Sequence, residues 1–208
     1  RLQPFLPRHP RRSLLAGVAG AVLLSRGFVY LLGVRFYDQE LDRYLPFLDP
    51  AWLRTDLLRS VWFLHLKPPG MNLGTGLVLQ AAGDASTVVF GGIFVGFGLL
   101  LAVSLADVLR RLGLPRWLVF GLSVGYAVSP SVLLFENFLS HTYPAAALLA
   151  AVTACLGRAL SSGRARWWAT CFGLGMLLCY TRSLYHLAWL GALVVLALLL
   201  RRAQRGRI

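Results

Sequence analysis

Long apolar runs, broken by short basic or proline-bearing interruptions, make up most of this chain. A helix needs ~20 apolar residues to cross a hydrocarbon layer about 30 Å thick. Six runs reach or approach that length: 14–34, 86–108, 117–134, 143–160, 167–180 and 185–200. The last two are short and predict a hairpin with its tip at 181–184. Between the first and second runs lies a more polar stretch, 35–85, where Pro46 and Pro50 break any continuous helix. There 51–66 reads as one amphipathic helix, with Trp52, Leu53, Leu57, Leu58, Val61, Trp62 and Leu66 on an apolar face and Arg54, Asp56 and Arg59 on a polar one. Such a helix lies in the membrane plane with its tryptophans at headgroup depth. After Pro68 and Pro69, the run 71–82 is too short to cross and predicts a second interfacial helix ending at Gly83 and Asp84. The pattern therefore predicts an all-α, polytopic transmembrane bundle of about six spans, with interfacial helices in its first outer loop.

Composition leads to the same class. With 208 residues, 57% of them hydrophobic and 14% charged, the chain has more apolar surface than one soluble core can hide. A net charge of +13 could point to nucleic acid, but the arginines gather at alternating helix ends instead. Fourteen of the 21 basic residues fall on one side, at 1–12, 110–116, 158–166 and 201–207. By the positive-inside rule that side is the cytoplasm, with both termini on it. Seven of the eight acidic residues fall on the other side, and Asp107 alone is inside. The expected organisation is a basic segment 1–13, a membrane domain 14–200 with its outer loop at 35–85, and a basic tail 201–208. The first run is basic-flanked like a signal peptide, but it is too long and lacks a small-residue cleavage pattern, which predicts a retained anchor. A start without Met and a stop within a basic run predict a piece of a longer protein. Cys155, Cys171 and Cys179 all fall in spans as small apolar side chains, with no disulfide framework and no metal-binding spacing.

The polar stretch 35–70 carries the candidate chemistry, with five of the eight acidic residues. It opens on Tyr37-Asp38-Gln39-Glu40-Leu41-Asp42-Arg43 and closes on His65-Leu66-Lys67-Pro68-Pro69. An acidic cluster directly after a span, followed by a rigid Lys-Pro-Pro corner, suits a reactive site held at a bilayer surface. This layout resembles the start of the GT-C superfamily of membrane glycosyltransferases, in the branch of the protein O-mannosyltransferases and aminoarabinose transferases. Asp38-Gln39-Glu40 stands where those enzymes have an acidic pair, with one residue inserted between the carboxylates, and His65 to Pro69 matches their Pro-Pro turn. Pro130-Ser131, Phe135-Glu136-Asn137 and Tyr143-Pro144 look like the outer turn between the family's third and fourth spans, and 181–186 looks like a later outer turn. The likeness covers nearly all of this chain but the amino-terminal half of such an enzyme.

The resemblance implies a multi-pass protein of the plasma membrane, in a bacterium the inner membrane, working on the cell envelope. Its reaction is inverting transfer of a sugar from a polyprenyl-phosphate donor to a glycan, lipid or protein acceptor on the extracytoplasmic face. An acceptor hydroxyl is a poor nucleophile until a carboxylate takes its proton, and Asp38, with Glu40 beside it, fits that role. The departing lipid phosphate needs cations or donors aimed at it, for which Lys67, Arg182 and His186 are the candidates, with His65 and Glu136 as further residues binding the donor's phosphate or sugar. Carboxylates at a phosphate site could also hold Mg²⁺ or Mn²⁺ through hard oxygen ligands. No nucleic-acid partner is expected.

Each residue has a plainer reading. Asp38 and Glu40 could be solvated carboxylates balancing Arg35 and Arg43, and Lys67 could snorkel from an interfacial helix. On a helix Arg182 and His186 share a face and could pair structurally with Glu136. Glu136 and His141 could be an exposed loop pair. Arg26, inside the first run, is expected to face the bundle or sit near an interface. Gly92 and Gly96 have the spacing of a helix-packing motif, and Trp167-Trp168 that of an interfacial belt. At the level of the whole chain, a transporter or flippase subunit for a lipid-linked substrate remains the alternative class, and a non-catalytic homologue of the same fold is the third reading. No inverted repeat of the kind transporters carry is visible.

Overall fold

A computed structural model describes residues 11–42, 47–63, 69–182 and 187–205, and within them the chain is helical apart from connecting turns and one isolated bridge. The helices are α1 (Arg11–Leu31), α2 (Pro50–Thr55), α3 (Leu57–Trp62), α4 (Pro69–Ala82), α5 (Ser86–Arg111), α6 (Arg116–Ala127), α7 (Pro130–Glu136), α8 (Thr142–Ser162), α9 (Ala165–Thr181) and α10 (Leu187–Arg205). Three continuous helical stretches are long and apolar enough to cross a membrane: 12–31, 69–111 and 142–162. The bent pair α6–α7 makes a fourth if it counts as one span. The fold is thus a helix bundle compatible with a membrane protein.

Local sequence explains where these helices stop. Gly33, at φ +92°, turns the chain after α1, and Gly163, at φ +65°, caps α8 in the left-handed region where a Cβ is penalised. α6 gives way to α7 at a 55° bend because Ser129 precedes Pro130 and is held extended, at ψ 145°.

The structure splits the amphipathic helix expected over 51–66. Asp56 leaves the helical region (φ −141°, ψ 57°), ending α2 and starting α3. Two contacts from α4 hold the break in place. The Gln80 side-chain amide donates to the carbonyls of Leu53 (3.1 Å) and Arg54 (3.2 Å), which the break frees, and Leu57 packs directly over Gly76. The apolar residues consequently divide between two faces. Leu53 and Leu57 are buried against α4, whereas Trp52, Leu58 and Trp62 stand exposed at 60%, 77% and 83%. The expected second short helix is present as α4, and it runs almost directly into α5 through a 3-10 turn at Gly83–Ala85.

The core runs along α5, which packs against α8, α1 and α6, while α8 packs on α9. Phe90, Phe94 and Leu101 of α5 meet Tyr143 and Ala147 of α8 and Leu139 before it. Val18 and Val22 of α1 meet Ala102 and Ala106 of α5 and Val119 of α6. At the basic end Asp107 is fully buried and gathers Arg110 (3.3 Å), Arg111 (3.0 Å) and Arg158 (2.9 Å). Arg111 also donates to the Gly157 carbonyl, and Arg158 lies over the Trp167 ring at 4.7 Å. The lone acidic residue expected among the basic clusters therefore joins α5 to α8. Gly92 and Gly96 bring no element close, since a methyl at either would meet open space; the tight approach on α5 is at Gly98.

Candidate functional site

The polar centre of the bundle follows from the break at Pro130. Ending α6 early leaves the Ala127 carbonyl without its helical partner, and Arg26 Nη2 of α1 donates to it at 2.9 Å. The same guanidinium meets Glu136 at the end of α7 in a bidentate pair, Nε to Oε1 at 2.6 Å and Nη2 to Oε2 at 2.7 Å. Tyr143 of α8 donates its hydroxyl to Glu136 Oε2 at 2.5 Å, and Ser25 accepts from Arg26 Nη1. Arg26 and Glu136 are 9% and 1% exposed, so both charges are out of solvent and depend on one another. Gly98 makes room for them, since a Cβ there would collide with the Glu136 carboxylate and the Tyr143 hydroxyl. Arg26 faces the bundle, one of its two expected placements. Glu136 is not the exposed loop residue of the plainer reading, nor is its partner Arg182.

Beside this network the start of the first loop is tied to the turn between α7 and α8. Tyr37 N–H donates to the Asn137 carbonyl (2.8 Å), Leu139 N–H donates to the Tyr37 carbonyl (3.1 Å), and the Tyr37 ring stacks on Phe138. Asp38 follows directly and is half-buried. Its Oδ2 accepts from the Thr87 hydroxyl, in the first turn of α5, at 2.5 Å. Arg35, its expected counter-ion, turns instead to the carbonyls of Tyr30 and Val34 and lies 3.8 Å over the Tyr30 ring. Thr87, Arg35, Arg26, Glu136 and Asn137 line one open cavity of about 530 Å³, together with α1 and α5 residues such as Leu23, Gly27, Gly91 and Gly92. Gly92 thus opens a cavity where a packing role was expected.

The other expected residues scatter. Arg182 caps α9 in an extended conformation (φ −144°, ψ 126°), so it is not itself part of a helical face. Its charge reaches His141, at the start of α8. Burial, reinforced by Arg182, holds the His141 imidazole below its ordinary pKa. His65, Lys67 and His186 lie outside the described residues, as do the side chains of Glu40 and Asp42, whose backbone forms a 3-10 turn at Gln39–Asp42. Among the described residues no three His, Cys, Asp or Glu side chains gather in a metal-binding group. Glu136 is committed to Arg26 and Tyr143, and Asp38 accepts from Thr87.

Thr87 was not singled out by sequence. Its one available mark is a hydroxyl in the first turn of an otherwise apolar run, and that is too common to select it. Nor could spacing pair Arg26 with Glu136, which are 110 residues apart. No protein family, curated protein or solved structure matches this chain.

Proposed function

We propose that the chain is an integral membrane glycosyltransferase of the plasma membrane, with six spans and its first loop on the extracytoplasmic face. It moves a sugar with inversion from a polyprenyl-phosphate donor to an acceptor hydroxyl. The observation that carries this reading is the position of Asp38, whose carboxylate is steered by Thr87, a wall residue of the cavity that also holds Arg35 and the Arg26–Glu136 pair. A hydrogen bond from Thr87 to one oxygen orients the carboxylate and leaves its other oxygen to take a proton, and cations nearby suit an anionic lipid phosphate.

In the reaction the acceptor oxygen attacks the anomeric carbon of the donor sugar from the face opposite the phosphate. The new carbon–oxygen bond forms as the carbon–phosphate-oxygen bond breaks. Asp38 takes the acceptor's proton, and the polyprenyl phosphate leaves with the electron pair. Arg35 is exposed on the cavity wall, and with Lys67 of the Lys-Pro-Pro corner it balances the departing charge. Glu136 serves a positioning role, holding Arg26 against the wall.

The test follows sugar release in membranes from a panel of polyprenyl-phosphate sugars, for wild type, Asp38→Asn and Thr87→Val. Loss of about 10²–10⁴-fold in turnover for Asp38→Asn with donor binding retained, and a smaller loss for Thr87→Val, is the expected result. Unchanged turnover in Asp38→Asn removes Asp38 as the base. Absence of turnover with any donor in wild type favours transport or a fold that has lost its chemistry.

A further inference from the structure

At the basic end of the bundle, remote from this cavity, α9 begins and α10 finishes side by side. They bound a groove of about 390 Å³ lined by Gly163, Ala165, Trp168, Phe172, Val194, Ala197 and Leu198. That is within the size range of ligand pockets, roughly 300–1,000 Å³. Its walls are ordered by helical spacing. On α9, Trp168 and Phe172 lie one turn apart, and Arg164 caps the helix in an extended conformation just before Ala165; on α10, Val194 and Leu198 lie one turn apart, with Arg202 one turn after. Each helix therefore brings an exposed arginine to the same end of the groove. Among the described residues neither Arg164 nor Arg202 forms an ion pair. A third observation separates this groove from a bare apolar face: the indole Nε1–H of Trp168 is shielded from solvent and has no acceptor among the described residues. A shielded donor of that kind costs free energy until something accepts from it.

We propose that this groove seats an anionic glycerophospholipid. One acyl chain lies along Phe172 and Val194, an ester carbonyl accepts from Trp168 Nε1–H, and the phosphate sits between Arg164 and Arg202. The three parts of the ligand match the groove in order of depth. Trp168 is in the first turn of α9, at the level where a bilayer places its ester carbonyls and where indoles collect. Charged headgroups lie one turn further out, and basic pockets between helices recruit anionic lipids there. A zwitterionic lipid supplies the same chain and carbonyl but adds a choline cation beside two arginines, so headgroup charge decides the preference. The inference rests on the membrane embedding of the proposed function and is independent of its sugar chemistry.

The experiment uses the full chain in vesicles of unlabelled phosphatidylcholine carrying a few per cent of phosphatidylglycerol or phosphatidylcholine with brominated acyl chains, reading quenching of tryptophan fluorescence. Brominated phosphatidylglycerol should quench in excess of brominated phosphatidylcholine. That excess should shrink sharply in Trp168→Phe, and the apparent affinity should fall about fivefold in each of Arg164→Gln and Arg202→Gln. Both arginines are exposed, so these variants keep the bundle intact. Equal quenching by the two lipids in wild type, or an excess that survives all three substitutions, overturns the proposal. Absence of quenching by either lipid overturns the membrane embedding itself, and with it this site.

Discussion

Arg26 divides one guanidinium among three acceptors, the Glu136 carboxylate, the Ala127 carbonyl and the Ser25 hydroxyl. In a buried setting such a pair adds little over apolar side chains of the same size, but losing one member strands the other charge. Arg26→Met is therefore expected to cost about 3–5 kcal/mol, and the double variant Arg26→Met with Glu136→Gln much less. A double-mutant cycle with both single variants, read by thermal unfolding in detergent, checks this; losses that simply add in the double variant would mean that the pair is not coupled. Gly98→Ala should show the same loss without removing a charge, because its methyl would displace the Glu136 carboxylate. At His141 the lowered pKa has a definite sign. The native imidazole resists protonation while the unfolded one titrates near its ordinary value, about 6.5. Stability is thus fully present above that value and is lost as pH falls below it toward the native pKa. Melting temperature measured from pH 8 to pH 5 should drop below about pH 6.5, and less steeply in His141→Gln.

Among the elements, α2 and α3 depend most on a neighbour. Each has six residues, too few to be stable alone, and both rest on α4 through Leu53, Leu57 and the Gln80 amide. Gly76→Ala should push Leu57 away and release α3, raising hydrogen exchange in the backbone of 50–62 while α5 and α8 stay protected. Uniform exchange across the bundle would show instead that the first loop and the core unfold together. The amphipathic pattern of 51–66 was legible as helix, but the break was not. Asp56 is as compatible with a polar helix face as with a cap, and only the seat offered by Gly76 and Gln80 favours the cap.

Across the molecule two charged assemblies occupy opposite ends of α5. Thr87 with Asp38 marks one end and Asp107 with its arginines the other, about 30 Å apart at 1.5 Å per residue. Asp107 accepts from α5 and α8 alike, so Asp107→Asn leaves the Arg111 and Arg158 side chains facing one another without their shared anion. The expected loss is about 3–5 kcal/mol, read as a lower melting temperature. Partial recovery in Asp107→Asn with Arg158→Met would assign that loss to like-charge repulsion.

The sequence by itself determined that the chain is helical with apolar helices of spanning length, because the length and composition of apolar runs are local properties. The run read over 117–134 passed straight through Pro130, where the structure breaks it into α6 and α7. Tertiary structure alone decided which charges meet. Arg26 and Glu136 stand 110 positions apart, and no periodicity connects them until the Pro130 bend turns α7 toward α1. Asp38 was legible as a candidate from its acidic surroundings, yet its Thr87 partner and the cavity beside it exist only once the Tyr37–Phe138 bridge fixes the loop. Long-range pairing depends on where rigid helices end in space, and a sequence pattern records which face of a helix is apolar without recording what that face will touch.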